Sequence, residues 1–247
     1  MIKIASLSLI GWINALSASG LVVFGTLFGI YILYKAKKTD ARLIYYLGFT
    51  VISAALGWLG NLVDFITILL TSRNMANPHG IYIVLSNVWL PLTIVLAIYV
   101  GIELIMPEKT KFILPVFIVL ALIYEFFLLI DPFGSYNFVY PTPNGSNLID
   151  EILITFSPLG ILTIVFIVSV AVFIGIGFLI KAIQSSDKIR TNFVIISLAA
   201  FLFILFGMLD TSGGLFPTIF LVFIRLGILS SLVLMYLGFF RHIGSVK

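Results

Sequence analysis

An all-α integral membrane protein, folded as a bundle of seven spanning helices, is the class this sequence predicts, and three observations predict it. The 247 residues are 61% hydrophobic and only 10% charged, with a mean hydropathy of +1.22, where a soluble domain carries about 25% charged residues. Seven apolar runs occur, at about 10–34, 43–70, 81–105, 112–130, 152–180, 192–210 and 218–240. A spanning helix needs ~20 such residues, and the fourth run is the shortest. Finally, the short connectors alternate in charge.

The first run follows Lys3 and resembles a signal peptide, with small residues at Ala15 to Ser19. Cleavage there would leave too short a remainder to span, so an uncleaved helix is expected. Its Gly25 and Gly29 form a GxxxG, expected to serve packing rather than dimerisation. The second run repeats Ser53, Gly57, Gly60/Asn61 and Asp64 at helical spacing, one small and polar face ending in a carboxylate. In the third, Asn87, Trp89 and Pro91 lie together, and the proline is expected to bend the helix. The fifth carries Pro158 near its start. The lengths of the second and fifth suggest tilt or protruding ends.

Lys35, Lys37, Lys38 and Arg42 fill the first connector, Lys109 and Lys111 the third, Lys181, Lys188 and Arg190 the fifth, and Arg241 and Lys247 the tail. The other connectors carry only Arg73. By the positive-inside rule the amino terminus is expected outside and the carboxyl terminus in the cytoplasm of a multi-pass cell-membrane protein. On this topology the loop 131–150 is the largest outer feature. Its prolines and Asn144-Gly145 predict irregular, turn-rich backbone, and Asn144-Gly145-Ser146 matches an N-glycosylation acceptor. The net charge of +4 reflects this sidedness and calls for no nucleic acid.

Arg225 lies within the last run, eight positions after Pro217 and so ~12 Å into the hydrocarbon. A charge at that depth costs roughly 2.5–3.5 kcal/mol on insertion scales and must face protein or water. Asp64, Glu125 and Asp210 are the carboxylates able to answer it. A salt bridge pinning the second, sixth and seventh helices is one reading, and a ligand site is the other. Glu125 can equally snorkel to the headgroups, and Trp58 and Trp89 are either packing residues or cavity walls. The polar groups gather in the outer half of the bundle. Asn61, Asp64, Asn87, Trp89, Asp210 and Arg225 are therefore the candidate ligand-binding residues, in a pocket that opens outward.

Enzymatic chemistry fails on inventory. There are no cysteines and only two histidines, His79 and His242, expected on opposite faces, so no metal site is expected within the membrane. HExxH, GxSxG and GxGD are missing. An acid–base pair of Asp64 and Asp210 would be spoiled by Arg225 between them. No run holds a lysine away from its ends, so no retinal Schiff base can form. No catalytic residue and no cofactor are called for.

The stretch Trp58-Leu59-Gly60-Asn61-Leu62-Val63-Asp64, followed by Ile81 through Trp89-Leu90-Pro91-Leu92 to Tyr99-Val100-Gly101, resembles the amino-terminal seven-helix sensor region of prokaryotic histidine kinases. Arg190-Thr191-Asn192 opening the sixth helix, Gly207 with Asp210 closing it, and Arg241 after the seventh fit the same resemblance. It implies a membrane sensor. No phosphoacceptor region or ATP lobe appears before Lys247, so no kinase activity is expected and the output must come from a separate cytoplasmic partner. An anionic or carbonyl-bearing small molecule is the expected ligand, since Arg225 would meet it. A permease and a structural subunit are the alternative functions. The odd helix number and the missing inverted repeat weigh against the permease, although Pro91 and Pro158 could each break a helix.

Overall fold

The computed structural model describes residues 7–211 and 218–240. Lys3, Pro217, Arg241, His242 and Lys247 fall outside the described residues, as does the side chain of Lys188. Within them lie seven helical segments long and apolar enough to cross a membrane: Leu9–Thr39, Arg42–Thr71, Pro78–Ile105, Pro107–Ile130, Pro158–Ile183, Ile189–Asp210 and Phe220–Gly238. They match the seven apolar runs closely.

The first span is one helix, α1 (Leu9–Thr39), opened by Ser8, whose hydroxyl accepts from the Gly11 N–H. Asp40 closes it in the left-handed region with φ of 51°. The second span is α2 (Arg42–Ala55) and α3 (Leu59–Thr71), joined by a 3₁₀ turn at Leu56–Trp58. The third is α4 (Ile81–Asn87) and α5 (Leu90–Ile105), and the fourth is α6 (Thr110–Ile130). The fifth is α7 (Pro158–Val170), a π-helical stretch at Ala171–Ile176, and α8 (Gly177–Ile183). The sixth and seventh are α9 (Asp187–Thr211) and α10 (Thr218–Phe240).

Lipid-like surroundings offer helices no hydrophobic reason to associate, so close backbone approach and polar contacts must hold them. Gly25 and Gly29 of α1 lie directly against Ala55, Ile52 and the Gly48 carbonyl of α2, leaving no room for a Cβ. The GxxxG is thus an internal packing face. The spans form a ring in which α1 packs on α2, α2 on α5, α5 on α8, α8 on α9, α9 on α10 and α10 back on α1, with α6 outside α5 and α7.

Two expectations are corrected. The loop 131–150 is not irregular throughout: β1 (Tyr136–Val139) pairs antiparallel with β2 (Asp150–Leu153), Tyr136 opposite Leu153. Antiparallel pairing with each other, not length, makes these short strands. The fifth helix consequently begins six residues later than the apolar run. Pro158 occupies its first turn, where a missing N–H costs nothing, and Ser157 caps it by accepting from Gly160 N–H. Pro158 opens a helix rather than breaking one.

Pro91 behaves as expected. It cannot donate to Asn87 four residues earlier, and the helix breaks at Val88–Trp89. The 3₁₀ turn in the second span was not foreseen. Three residues wound at 3.0 rather than 3.6 per turn rotate the remainder of the span by about 60°. The polar face that looked continuous is thereby split, with Ser53 and Gly57 on one side and Asn61 and Asp64 on another. The tightened turn also frees the Gly60 N–H, which donates to Ser86 Oγ at 3.0 Å across to α4.

Candidate functional site

Arg225 reaches from α10 into a closed polar knot. Its Nε donates to Asp210 Oδ1 at 3.0 Å, and its Nη1 donates to Asn14 O at 2.9 Å, Asn14 Oδ1 at 2.6 Å and Ser17 Oγ at 2.8 Å. Trp58 Nε1 donates to the other oxygen of Asp210 at 2.6 Å. Arg225 is 5% exposed. Of the three carboxylates considered for it, Asp210 is the partner. The first span joins the knot through Asn14 and Ser17, which sequence reasoning missed. Their i, i+3 spacing at the depth of Arg225 was the available signal.

Asp64 does something else. It is fully buried and accepts from Asn74 Nδ2, Met75 N and Ile149 N at 2.7–2.9 Å. Asn74 in turn accepts from Gly145 N and donates its backbone N–H to Asn144 Oδ1. Asp64 therefore pins the two connectors at this end of the bundle to each other. Glu125 stays apart, half-buried in α6, with one carboxyl oxygen lacking a partner among the described residues. Trp89 spends its N–H on Leu85 O within its own span.

Beneath these connectors a cavity of about 270 Å³ runs down the middle of the bundle. Asn87 and Asp210 of the sequence-predicted set line it; Asn61, Asp64, Trp89 and Arg225 do not. Its far part is apolar, walled by Ala97, Val100, Ile174, Phe178, Ala200 and Met235. Its near part is polar and is closed by the hairpin, which brings Tyr136, Glu151 and Leu153 into the wall. Tyr136 and Glu151 lie outside any apolar run, and none of the three was picked out in sequence.

The hydrogen-bond order at this polar rim follows from donor counting. Tyr124 OH donates to Asn87 Oδ1 at 3.3 Å, so the Tyr136 hydroxyl, also at 3.3 Å, must donate to Tyr124. Burial pushes the Tyr136 phenol well above its ordinary 10.0, so its proton stays available. With Oδ1 fixed on Tyr124, the Asn87 amide N–H groups have no partner among the described residues. They face a cavity that Asn87 lines. Burial, followed by the Asp150 carboxylate, drives the Glu151 carboxyl from an ordinary 4.5 up to about 8. A hydrogen bond from Tyr82 and the Arg225 charge pull it back, and Asp210 adds to the push. The Tyr82 hydroxyl also donates to Ile149 O, at 2.8 Å. At neutral pH the rim is a set of uncharged donors beside one neutralised ion pair.

Three departures from α-helix meet this cavity. Gly57 and Trp58 of the 3₁₀ turn, Asn87 and Leu90 flanking the Val88–Trp89 break, and Val170 and Ile174 at the π stretch all line it. The π stretch is held on both sides: Ser197 Oγ of α9 donates to its Gly175 carbonyl at 2.6 Å, and Gly101 of α5 lies on its Phe173 carbonyl. Compared with family models, curated proteins and solved structures, the chain matches none.

Proposed function

We propose that this is a receptor- or sensor-type seven-helix membrane protein, its amino terminus outside and its carboxyl terminus cytoplasmic, in which a small molecule in the central cavity resets the hinged helices and signals through a separate partner. The observation that carries this reading is the convergence on one cavity of the three interruptions inside the second, third and fifth spans. π stretches and kinks mark functional positions disproportionately, and a ligand can shift a conformational equilibrium only by touching what differs between its states. With short connectors, helix movement is the means of transmission available to the described part of the chain.

Topology is tested by single cysteines at Ser146 and Ser186 in this cysteine-free chain. An impermeant reagent applied outside should modify the first alone, and modification of both would reverse or scramble the assignment. The sensor reading is tested by filling the cavity without a ligand. Ala97→Phe should change the distance between spin labels at Glu108 and Ser186, which sit in two connectors at the end away from the hairpin. An unchanged distance in a folded variant would sink it.

A further inference from the structure

We infer that the cavity binds an uncharged medium-chain amphiphile, its carbonyl or hydroxyl oxygen accepting from the Asn87 amide and its alkyl chain lying along α5 toward Phe178, and that this molecule arrives from the bilayer between α7 and α9. The inference rests on the ligand-binding cavity proposed above and gives it a ligand class.

Size comes first. The cavity, at about 270 Å³, sits at the small end of the roughly 300–1,000 Å³ of small-molecule sites. That suits a chain of medium length or a compact equivalent better than a two-chain lipid. Shape and polarity come next: one end offers donors, and the remainder is walled by aliphatic and aromatic side chains. A head group must therefore be small and must accept hydrogen bonds.

Charge then selects. Arg225 would draw an anion if it lined the cavity, but it does not, and its Nε and Nη1 already bond to protein. An anionic head would instead meet Asp210 and Glu151. A cationic head would find Asp210 already paired at 3.0 Å and Glu151 protonated at neutral pH. Neither ion gains a counter-charge, while both lose hydration. An uncharged oxygen loses little and satisfies the Asn87 N–H groups.

The route is written in the packing. α9 rests on α8 and on the π stretch, but above that stretch it parts from α7. Thr163 and Ile167 on α7 and Ile204 and Met208 on α9 line the cavity from either side of this parting. Met208 is 48% exposed although it also lines the cavity, as a residue at a portal must be. The hairpin closes the other approach, through the hydrogen bonds that tie Tyr82 and Asp64 to Ile149 just before β2.

Trp58 lies in the cavity wall and reports occupancy. In a Trp12→Phe/Trp89→Phe background in phospholipid nanodiscs at pH 7, 1-octanol should change Trp58 emission saturably. 1-Octanesulfonate and octyltrimethylammonium should do so far more weakly. Asn87→Leu should weaken the octanol response about tenfold, the loss of one good hydrogen bond. Ala97→Phe should abolish it. Filling the portal with Ile167→Phe/Met208→Phe should slow both association and dissociation. A linear, unsaturable octanol signal would reduce binding to bilayer partition and overturn the inference. Preference for the sulfonate would overturn the head-group assignment, and unchanged rates in the portal variant would overturn the route. If octanol fails while Ala97→Phe still moves the spin labels, the ligand class falls and the sensor reading stands. Saturable octanol binding with no movement in either case has the opposite consequence.

Discussion

The knot around Arg225 and the rim around Asn87 lie at the same end of the bundle and are built from the same kinds of side chain, yet they differ in one respect. In the knot, the guanidinium Nε and Nη1 and both Asp210 oxygens are bonded within the protein. At the rim, an amide with two donors is aligned by a tyrosine pair and then left open to a cavity. The knot contains the charges that a sequence displays. The rim contains the capacity to bind. Inside a membrane protein a bonded ion pair behaves as a fastener, and the place to look for a ligand is where hydrogen-bonding capacity faces a cavity.

That contrast can be broken most forcefully at the knot. Arg225→Leu strands a buried carboxylate and should cost about 3–5 kcal/mol, whereas Arg225→Leu/Asp210→Leu should recover much of the loss. Thermal melts of both single variants and the double in detergent decide this, and additive losses would mean that the pair is not coupled. The next effect is one of pH. The folded protein keeps the Glu151 proton up to about pH 8, while the unfolded chain releases it near 4.5. The Glu151 contribution to stability therefore declines as the pH rises from about 4.5 to 8, with Asp150, also raised by burial, adding to the slope at its lower end. Glu151→Gln should flatten the melting temperature between about pH 6 and 8.5, and a slope as steep as that of the parent would refute the assignment.

Smaller still is the pin on the π stretch. Ser197→Ala leaves the Gly175 carbonyl without its side-chain donor and should cost about 1–3 kcal/mol. It should also speed hydrogen exchange at residues 171–179, a signature that simple loss of packing elsewhere would not give. Least costly is the rim itself. Asn87→Ala takes the long bond's acceptor from the buried Tyr124 hydroxyl and, at the low end of the roughly 1–3 kcal/mol range for such losses, should cost about 1 kcal/mol. A much larger loss would mean that Asn87 is structural, which would erase the contrast with the knot.

The bundle was readable because hydrophobic length is what a bilayer selects, so each span announces itself. Arg225 was readable for the converse reason, as a charge where none is cheap. The assignment of Asp210 as its partner needed coordinates, because several carboxylates lay at compatible depth. Asp64 looked like a pocket residue since it ended a polar helix face. The 3₁₀ turn at Leu56–Trp58 turns that end away, and no spacing rule predicts where three residues will wind tighter. Glu151 escaped notice because its strand is only four residues long and its burial arises entirely from the tertiary position of the hairpin. The expectation of an anionic or carbonyl-bearing ligand was tied to Arg225, which does not line the cavity.

The π stretch in the fifth span has a consequence for chain length. A wider turn accommodates one residue more than an α-helix would over the same rise. Removing a single residue there, Val172 for instance, would remove the need for the wide turn, whereas winding all the same residues as a regular α-helix would turn everything beyond them through about 100°. Phe178 would swing away from the cavity floor, and Ser197 would face a carbonyl already bonded within its own helix. The fifth span is thus out of phase with itself by one residue, and the two halves of the cavity wall meet only because of that phase error.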